Sequence, residues 1–215
     1  EDRTFVNLGA LWVGAALRRA GHHVEVLDLC GRADYIQQAE AKMREGRWDV
    51  GGFTANTPQM PYVYRAFKAM KATASPATRF IIGGPHASFS PQHCLKLGFD
   101  QVVLDDGVDG APRALDAPGE QVLKGGLIDM DTYPLPAWDL VDMGSYHYTL
   151  PGTDMPALNV MFEQGCPYFC NFCSGRELFY YRKLRSRSPE HILLELDTLR
   201  DRYGFQAFQV YDDEV

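Results

Sequence analysis

Apolar residues recur at helical spacing over residues 8–20, where Leu8, Leu11, Trp12, Ala15 and Ala16 share a face and Gly21 supplies a stop. The period then changes. HVEVLDL (23–29) alternates as a strand does, residues 34–45 read as a polar helix, and DVGGF (49–53) reads as a short buried strand. Residues 59–73 return to helical spacing. RFIIGG (79–84) is a continuous apolar run closed by two glycines, the pattern of a strand covered on both faces. Residues 91–97 read as a short helix and FDQVVL (99–104) as a further strand. Strands alternating with helices predict an α/β fold, a Rossmann-like doubly wound parallel sheet. Ligands of such sheets bind beyond the carboxyl ends of the strands. Those ends fall at 28–31, 54–57, 83–88 and 105–107.

Periodicity weakens near residue 129. Pro134, Pro136, Pro151 and Pro156 break the stretch 129–155, which reads as a linker ordered in part by Tyr133, Trp138, Tyr146 and Tyr148. Regular pattern resumes with ALNVMF (157–162) as a strand. Ser188 is a candidate N-cap with Pro189 in the first turn. Ile192, Leu193, Leu196 and Leu199 give the helix an apolar face, Gly204 ends it, and FQAFQVY (205–211) is the next strand. The predicted organisation is a sheet domain over 1–128, a linker over 129–155 and the start of a second domain over 156–215.

Composition adds exclusions. The chain has 215 residues, 46% of them hydrophobic, which suits a packed core, and a net charge of −7, which argues against the basic footprint of nucleic-acid binding. No apolar run approaches the ~20 residues of a membrane span.

Candidate chemistry lies in the cysteines. Cys30 and Cys94 are isolated and read as small buried hydrophobes. Cys166, Cys170 and Cys173 fall on one loop, in EQGCPYFCNFCSGRE, with the spacing C-x3-C-x2-C. An odd cysteine count with clustered thiols points to a metal and a reducing, cytoplasmic compartment rather than to a disulfide framework. Three thiolates this close can hold an iron–sulfur cubane. Closed clusters of the ferredoxin type use four cysteines, so one iron would stay open, as catalytic metal sites keep an open position. The alternatives are a zinc site completed by His191, or a purely structural triplet.

The loop resembles the signature of the radical S-adenosylmethionine superfamily, C-x3-C-x-aromatic-C, with Phe172 at the aromatic position. The resemblance implies that Cys166, Cys170 and Cys173 hold a 4Fe-4S cluster and that S-adenosylmethionine binds its open iron. Reductive cleavage to a 5′-deoxyadenosyl radical is then expected, with Phe172 against the adenine and a flavodoxin or ferredoxin-type protein as electron donor. Asp212 and Asp213, in VYDDEV, stand where family members contact the methionine amino group; a solvated acidic loop is the other reading. The second domain would then be the first β/α units of an incomplete TIM-type barrel. Such barrels take about 250 residues, so the substrate-binding part is expected beyond residue 215 and the isolated piece is expected to be inactive.

The first domain is similar to the cobalamin-binding module of one radical S-adenosylmethionine subgroup, through LGALWVGAALRRAGHHVEVLDL, IIGGPHASFSP and FDQVVLDDG. LPAWDLVDMGSYHY and YRKLRSRSPEHILLEL extend the similarity along nearly the whole chain. Its first strand is absent, and no Asp-x-His-x-x-Gly string is present. The resemblance implies cobalamin as a cofactor, with Gly83 and Gly84 allowing a close approach to a bulky ligand. Three roles are open to His86: cobalt ligand, hydrogen-bond donor to the corrin or its tail, or capped loop histidine. Arg176, Arg182, Lys183, Arg185 and Arg187, opposed only by Glu177, read as a solvated strip or as a steering surface for an anion.

The expected function is a cobalamin-dependent radical S-adenosylmethionine enzyme acting on a small molecule, with methyl transfer to an unactivated carbon as its reaction. Oxidative ring closure in the same subgroup is the related alternative. A non-catalytic corrinoid- or nucleotide-binding module with a structural metal loop is the rival from another class.

Overall fold

A computed structural model describes residues 5–213. Helix α1 (Leu8–Arg19) opens it, capped by the Asn7 side chain, which accepts the Ala10 N–H at 3.0 Å. The chain forms two compact units. One comprises Leu27–Leu127; the other takes the described residues up to Val26 together with those from Ile128 onward.

The Leu27–Leu127 unit begins with α2 (Tyr35–Glu45) and then alternates strand and helix: β1 (Val50–Thr54), α3 (Met60–Thr73), β2 (Arg79–Gly83), α4 (Pro85–Phe89), α5 (Pro91–Leu97), β3 (Gln101–Leu104), α6 (Gly107–Asp116) and β4 (Val122–Lys124). The four strands form one parallel sheet in the order β1-β2-β3-β4. The parallel, doubly wound sheet expected from the sequence is therefore present. Alternation along β2 explains why both sheet faces are dry. Phe80 and Ile82 enter a core with Phe67, Cys94, Phe99 and Val102, while Ile81 enters a second core with Val103, Ala114 and Leu123.

No strand is assigned over residues 23–29 among the described residues; the segment has alternating exposure. Cys94 is fully buried, as expected, but Cys30 is exposed.

In the other unit, β5 (Ala157–Val160), α7 (Pro189–Tyr203) and β8 (Ala207–Val210) make a β–α–β unit whose strands pair in parallel, Ala157 opposite Ala207 and Val160 opposite Val210. Two short strands, β6 (Glu163–Gln164) and β7 (Arg185–Ser186), pair antiparallel between β5 and α7. Ser188 caps α7 by accepting the His191 N–H, and Gly204 ends it at φ +77°. Residues 129–155 carry no long element, yet Tyr133, Trp138 and Tyr146 are buried within this unit.

Candidate functional site

The β6–β7 pairing closes the base of a loop that contains all three clustered cysteines. Gly165 leaves β6 at φ +100°; a Cβ there would stand 2.4 Å from the Lys183 carbonyl oxygen, so the turn demands glycine. The Cys166 N–H donates to the Tyr181 carbonyl at 2.7 Å, and the Cys173 N–H to the Cys170 carbonyl at 3.0 Å, which puts Cys170 and Cys173 on one tight turn. All three are free thiols. Cys170 is exposed; Cys166 and Cys173 are half-buried. Among the described residues no three His, Cys, Asp or Glu side chains are gathered in metal-ligating geometry. The donor set nevertheless fits an iron–sulfur cluster, with three unpaired thiols on one accessible loop. His191, the candidate fourth ligand of a zinc site, lies instead against Asp131 at 3.4 Å.

Phe172, Tyr168 and Phe169 are exposed on this loop, Phe172 to 93%. The sequence expectation for Phe172 needs a ring free to stack, and the loop presents one. The acidic pair at the end of β8 faces the same loop. Asp212 Oδ1 accepts the N–H groups of Phe162 (2.7 Å) and Glu163 (3.1 Å). Asp213 Oδ2 accepts the Gly165 N–H at 3.1 Å, and its Oδ1 accepts the Tyr181 phenol. Burial, then the Asp213 carboxylate, push the Tyr181 phenol above its ordinary range. The pair is therefore not a free acidic loop.

Of the basic run, Arg182 and Lys183 are exposed, as a solvated strip would be, but Arg185 and Arg187 turn inward. Arg187 is buried and forms an ion pair with Glu195 of α7, and it also donates to the Met161 and His191 carbonyls at 3.1 Å. Arg185 donates to the Ile128 carbonyl, the Tyr133 hydroxyl and Gln164. Sequence reasoning missed Glu195 because it lies among leucines at a position where an apolar residue satisfies the helix pattern. The signal was the nearby excess of arginine with too few visible acids. Leu193, expected on the apolar face, is exposed.

The carboxyl edge of the four-stranded sheet is the second candidate surface. Gly83 ends β2, and Gly84 follows at φ +89°, where a Cβ would be 2.5 Å from Thr54 Oγ1. Gly84 thus makes room for the loop after β1; a Cβ at Gly83 would meet nothing closer than 3.5 Å. His86 is buried in α4. Its N–H donates to the Ala55 carbonyl, Nδ1 lies 3.0 Å from Thr57 Oγ1, and Nε2 lies 3.1 Å from His93 Nδ1. Burial, then the His93 charge, lower its pKa. Ser88 Oγ accepts the Asp105 N–H and donates to the Gly84 carbonyl. These bonds bind three strand exits into one polar rim. The rim fits a large polar ligand lying across the sheet edge.

The B12 binding domain family matches residues 3–115. The chain is 31% identical over 215 residues to the hopanoid C-3 methylase of Methylococcus capsulatus, a match covering 90% of this chain and 40% of that protein. It is 27% identical over 221 residues to the uncharacterized methyltransferase PH0819 of Pyrococcus horikoshii, covering 93% and 47%. It is 24% identical over 237 residues to the anaerobic magnesium-protoporphyrin IX monomethyl ester cyclase of Cereibacter sphaeroides, covering 94% and 37%. The chain therefore spans about half the length, or less, of these relatives.

Proposed function

From the premise that this chain belongs to the B12 binding domain family, we propose that it is the cobalamin-binding and cluster-binding part of a radical S-adenosylmethionine methyltransferase. One observation carries the reading. A loop with three free thiols in C-x3-C-x2-C spacing leaves the first strand of a β–α–β unit, on the same chain as the family match.

Cys166, Cys170 and Cys173 would hold a 4Fe-4S cluster. Phe172 would lie against the adenine of S-adenosylmethionine, and Asp212 and Asp213 would stand at its methionine end. The rim made by Gly83, Gly84 and the His86 loop would carry cobalamin, with His86 shaping the loop rather than binding cobalt. When bound, the cluster supplies one electron for cleavage of the sulfonium, and cobalamin supplies a methyl carrier. The chain's own part is to orient these groups. Arg187 bonds the Met161 carbonyl and Asp212 accepts the Phe162 and Glu163 N–H groups, so the segment that leads from β5 into the cysteine loop is tied down. The methyl acceptor is a small molecule, the compartment cytoplasmic, and the electron donor a flavodoxin or ferredoxin-type protein. Ring closure is the second reading, favoured by the similarity to the cyclase.

Anaerobic reconstitution of the full-length protein with iron and sulfide tests the cluster. The expected result is a reducible 4Fe-4S electron paramagnetic resonance signal that S-adenosylmethionine perturbs, lost when Cys166, Cys170 and Cys173 are replaced by alanine and kept in Cys94→Ala. Zinc in the purified protein with no such signal would overturn the reading in favour of the structural module. Retained cobalamin absorbance after incubation with hydroxocobalamin tests the first domain separately.

A further inference from the structure

Tyr181, beyond the third cysteine, grips the cysteine loop at three points. The Tyr181 carbonyl accepts the N–H of Cys166, the first cysteine, at 2.7 Å. Its ring fills the space beside Gly175, where a Cβ would lie 2.5 Å from Tyr181 Cδ1. Its phenol donates to Asp213, whose other oxygen accepts the Gly165 N–H at 3.1 Å. These bonds close a ring: Gly165 to Asp213, Asp213 to Tyr181, Tyr181 back to Cys166. The ring joins the end of β8 to both sides of the loop, because Gly165 precedes the first cysteine and Gly175 follows the third.

The geometry points to a role for this ring: Tyr181 and Asp213 form a positioning pair that fixes the entry of the cysteine loop on the end of β8, and with it the placement of the three thiolates. The inference rests on the cluster reading above. It is compatible with a contact from Asp213 to a bound amine, because each carboxylate oxygen offers more than one acceptor site. The tether acts in the chain before anything binds. These bonds add to the β6–β7 ladder, which is two residues long and weak alone.

The test compares full-length wild type with Tyr181→Phe, which keeps the ring and the carbonyl and removes only the phenol oxygen, and with Asp213→Asn. Amide hydrogen exchange is followed by mass spectrometry on metal-free protein. Exchange over residues 163–173 is expected to rise about tenfold in Tyr181→Phe, the change that loss of one such hydrogen bond brings. Exchange in β1–β4 is expected to stay the same. In reconstituted protein, the g-values of the reduced cluster are expected to shift and a chelator to bleach the cluster several-fold faster. Unchanged loop exchange in both variants overturns the tether, whatever the iron content. Faster exchange with an identical cluster signal and identical bleaching overturns the positioning role. A wild type that takes up no cluster but shows the exchange contrast removes the reading under Proposed function and leaves the tether standing.

Discussion

Asn159, buried in β5, exchanges two hydrogen bonds with the backbone of Val6. The Val6 N–H donates to Asn159 Oδ1 at 2.9 Å, and Asn159 Nδ2 donates to the Val6 carbonyl at 3.0 Å. A side-chain amide here does what a neighbouring strand would do, satisfying donor and acceptor of one residue together. It anchors the segment that leads into α1. Replacing Asn159 by Ala leaves the buried Val6 N–H without this partner, while the Val6 carbonyl keeps the Leu8 N–H at 3.0 Å, at a cost of about 1–3 kcal/mol. Urea denaturation of the variant should show that loss as a lower midpoint with an unchanged slope. A midpoint equal to wild type would mean that Val6 is not held this way.

Arg187 and Glu195 form a buried ion pair, with both side chains 1% exposed. Burial pushes the Glu195 carboxyl up while the Arg187 charge pulls it down. Arg187→Met strands a carboxylate in the interior, and stability should drop by about 3–5 kcal/mol. Arg187→Met combined with Glu195→Leu removes both charges and should recover most of that loss. Calorimetry of the single and double variants decides: a double variant no more stable than the single would show that packing, not the stranded charge, sets the cost.

The alternation of strands and helices over 49–104 was legible because β2 and β3 are buried on both faces and the strands are bounded by glycine or a turn. Ser188 and Gly204 marked the ends of α7 by chemistry that is local to the chain. Other features depend on partners distant in sequence. Helix α6 contains Gly110 and Pro112, which argue against a helix by propensity, and β4 has three residues, too few for a period. Residues 23–29 alternate in exposure, yet no strand is assigned there among the described residues. The cysteine spacing identified the loop, but the roles of Tyr181, Glu195 and Asn159 arise from contacts that no spacing encodes. Each is a residue type whose usual place is elsewhere, and only the fold shows why it is tolerated.

Both ring nitrogens of His86 are engaged, by Thr57 after β1 and by His93 of α5. A histidine held on both sides has no free nitrogen for cobalt. The cob(II)alamin signal of the full-length protein should therefore be the same in wild type and in His86→Gln, while cobalamin affinity falls less than about tenfold, the cost of one weakened hydrogen bond. Nitrogen splitting that disappears in the variant would show that His86 leaves its partners and binds the metal.

His191 sets a pH dependence in the other unit. It follows Pro189 and Glu190 in the first turn of α7, half-buried, with Asp131 3.4 Å from its ring and the Arg187 guanidinium bonded to its carbonyl. Burial is the largest influence on it and the Arg187 charge the next; both lower its pKa, and Asp131 opposes them. A histidine whose folded pKa lies below the ordinary 6.5 is destabilising once protonated, because the unfolded chain takes the proton more readily. Its contribution is intact above pH 6.5 and is lost as pH falls through the lowered value. Thermal midpoints measured from pH 7.5 to 5 should decline in wild type and decline less in His191→Gln. Parallel curves would assign the decline to other groups, and a steeper curve for the variant would reverse the sign argued here.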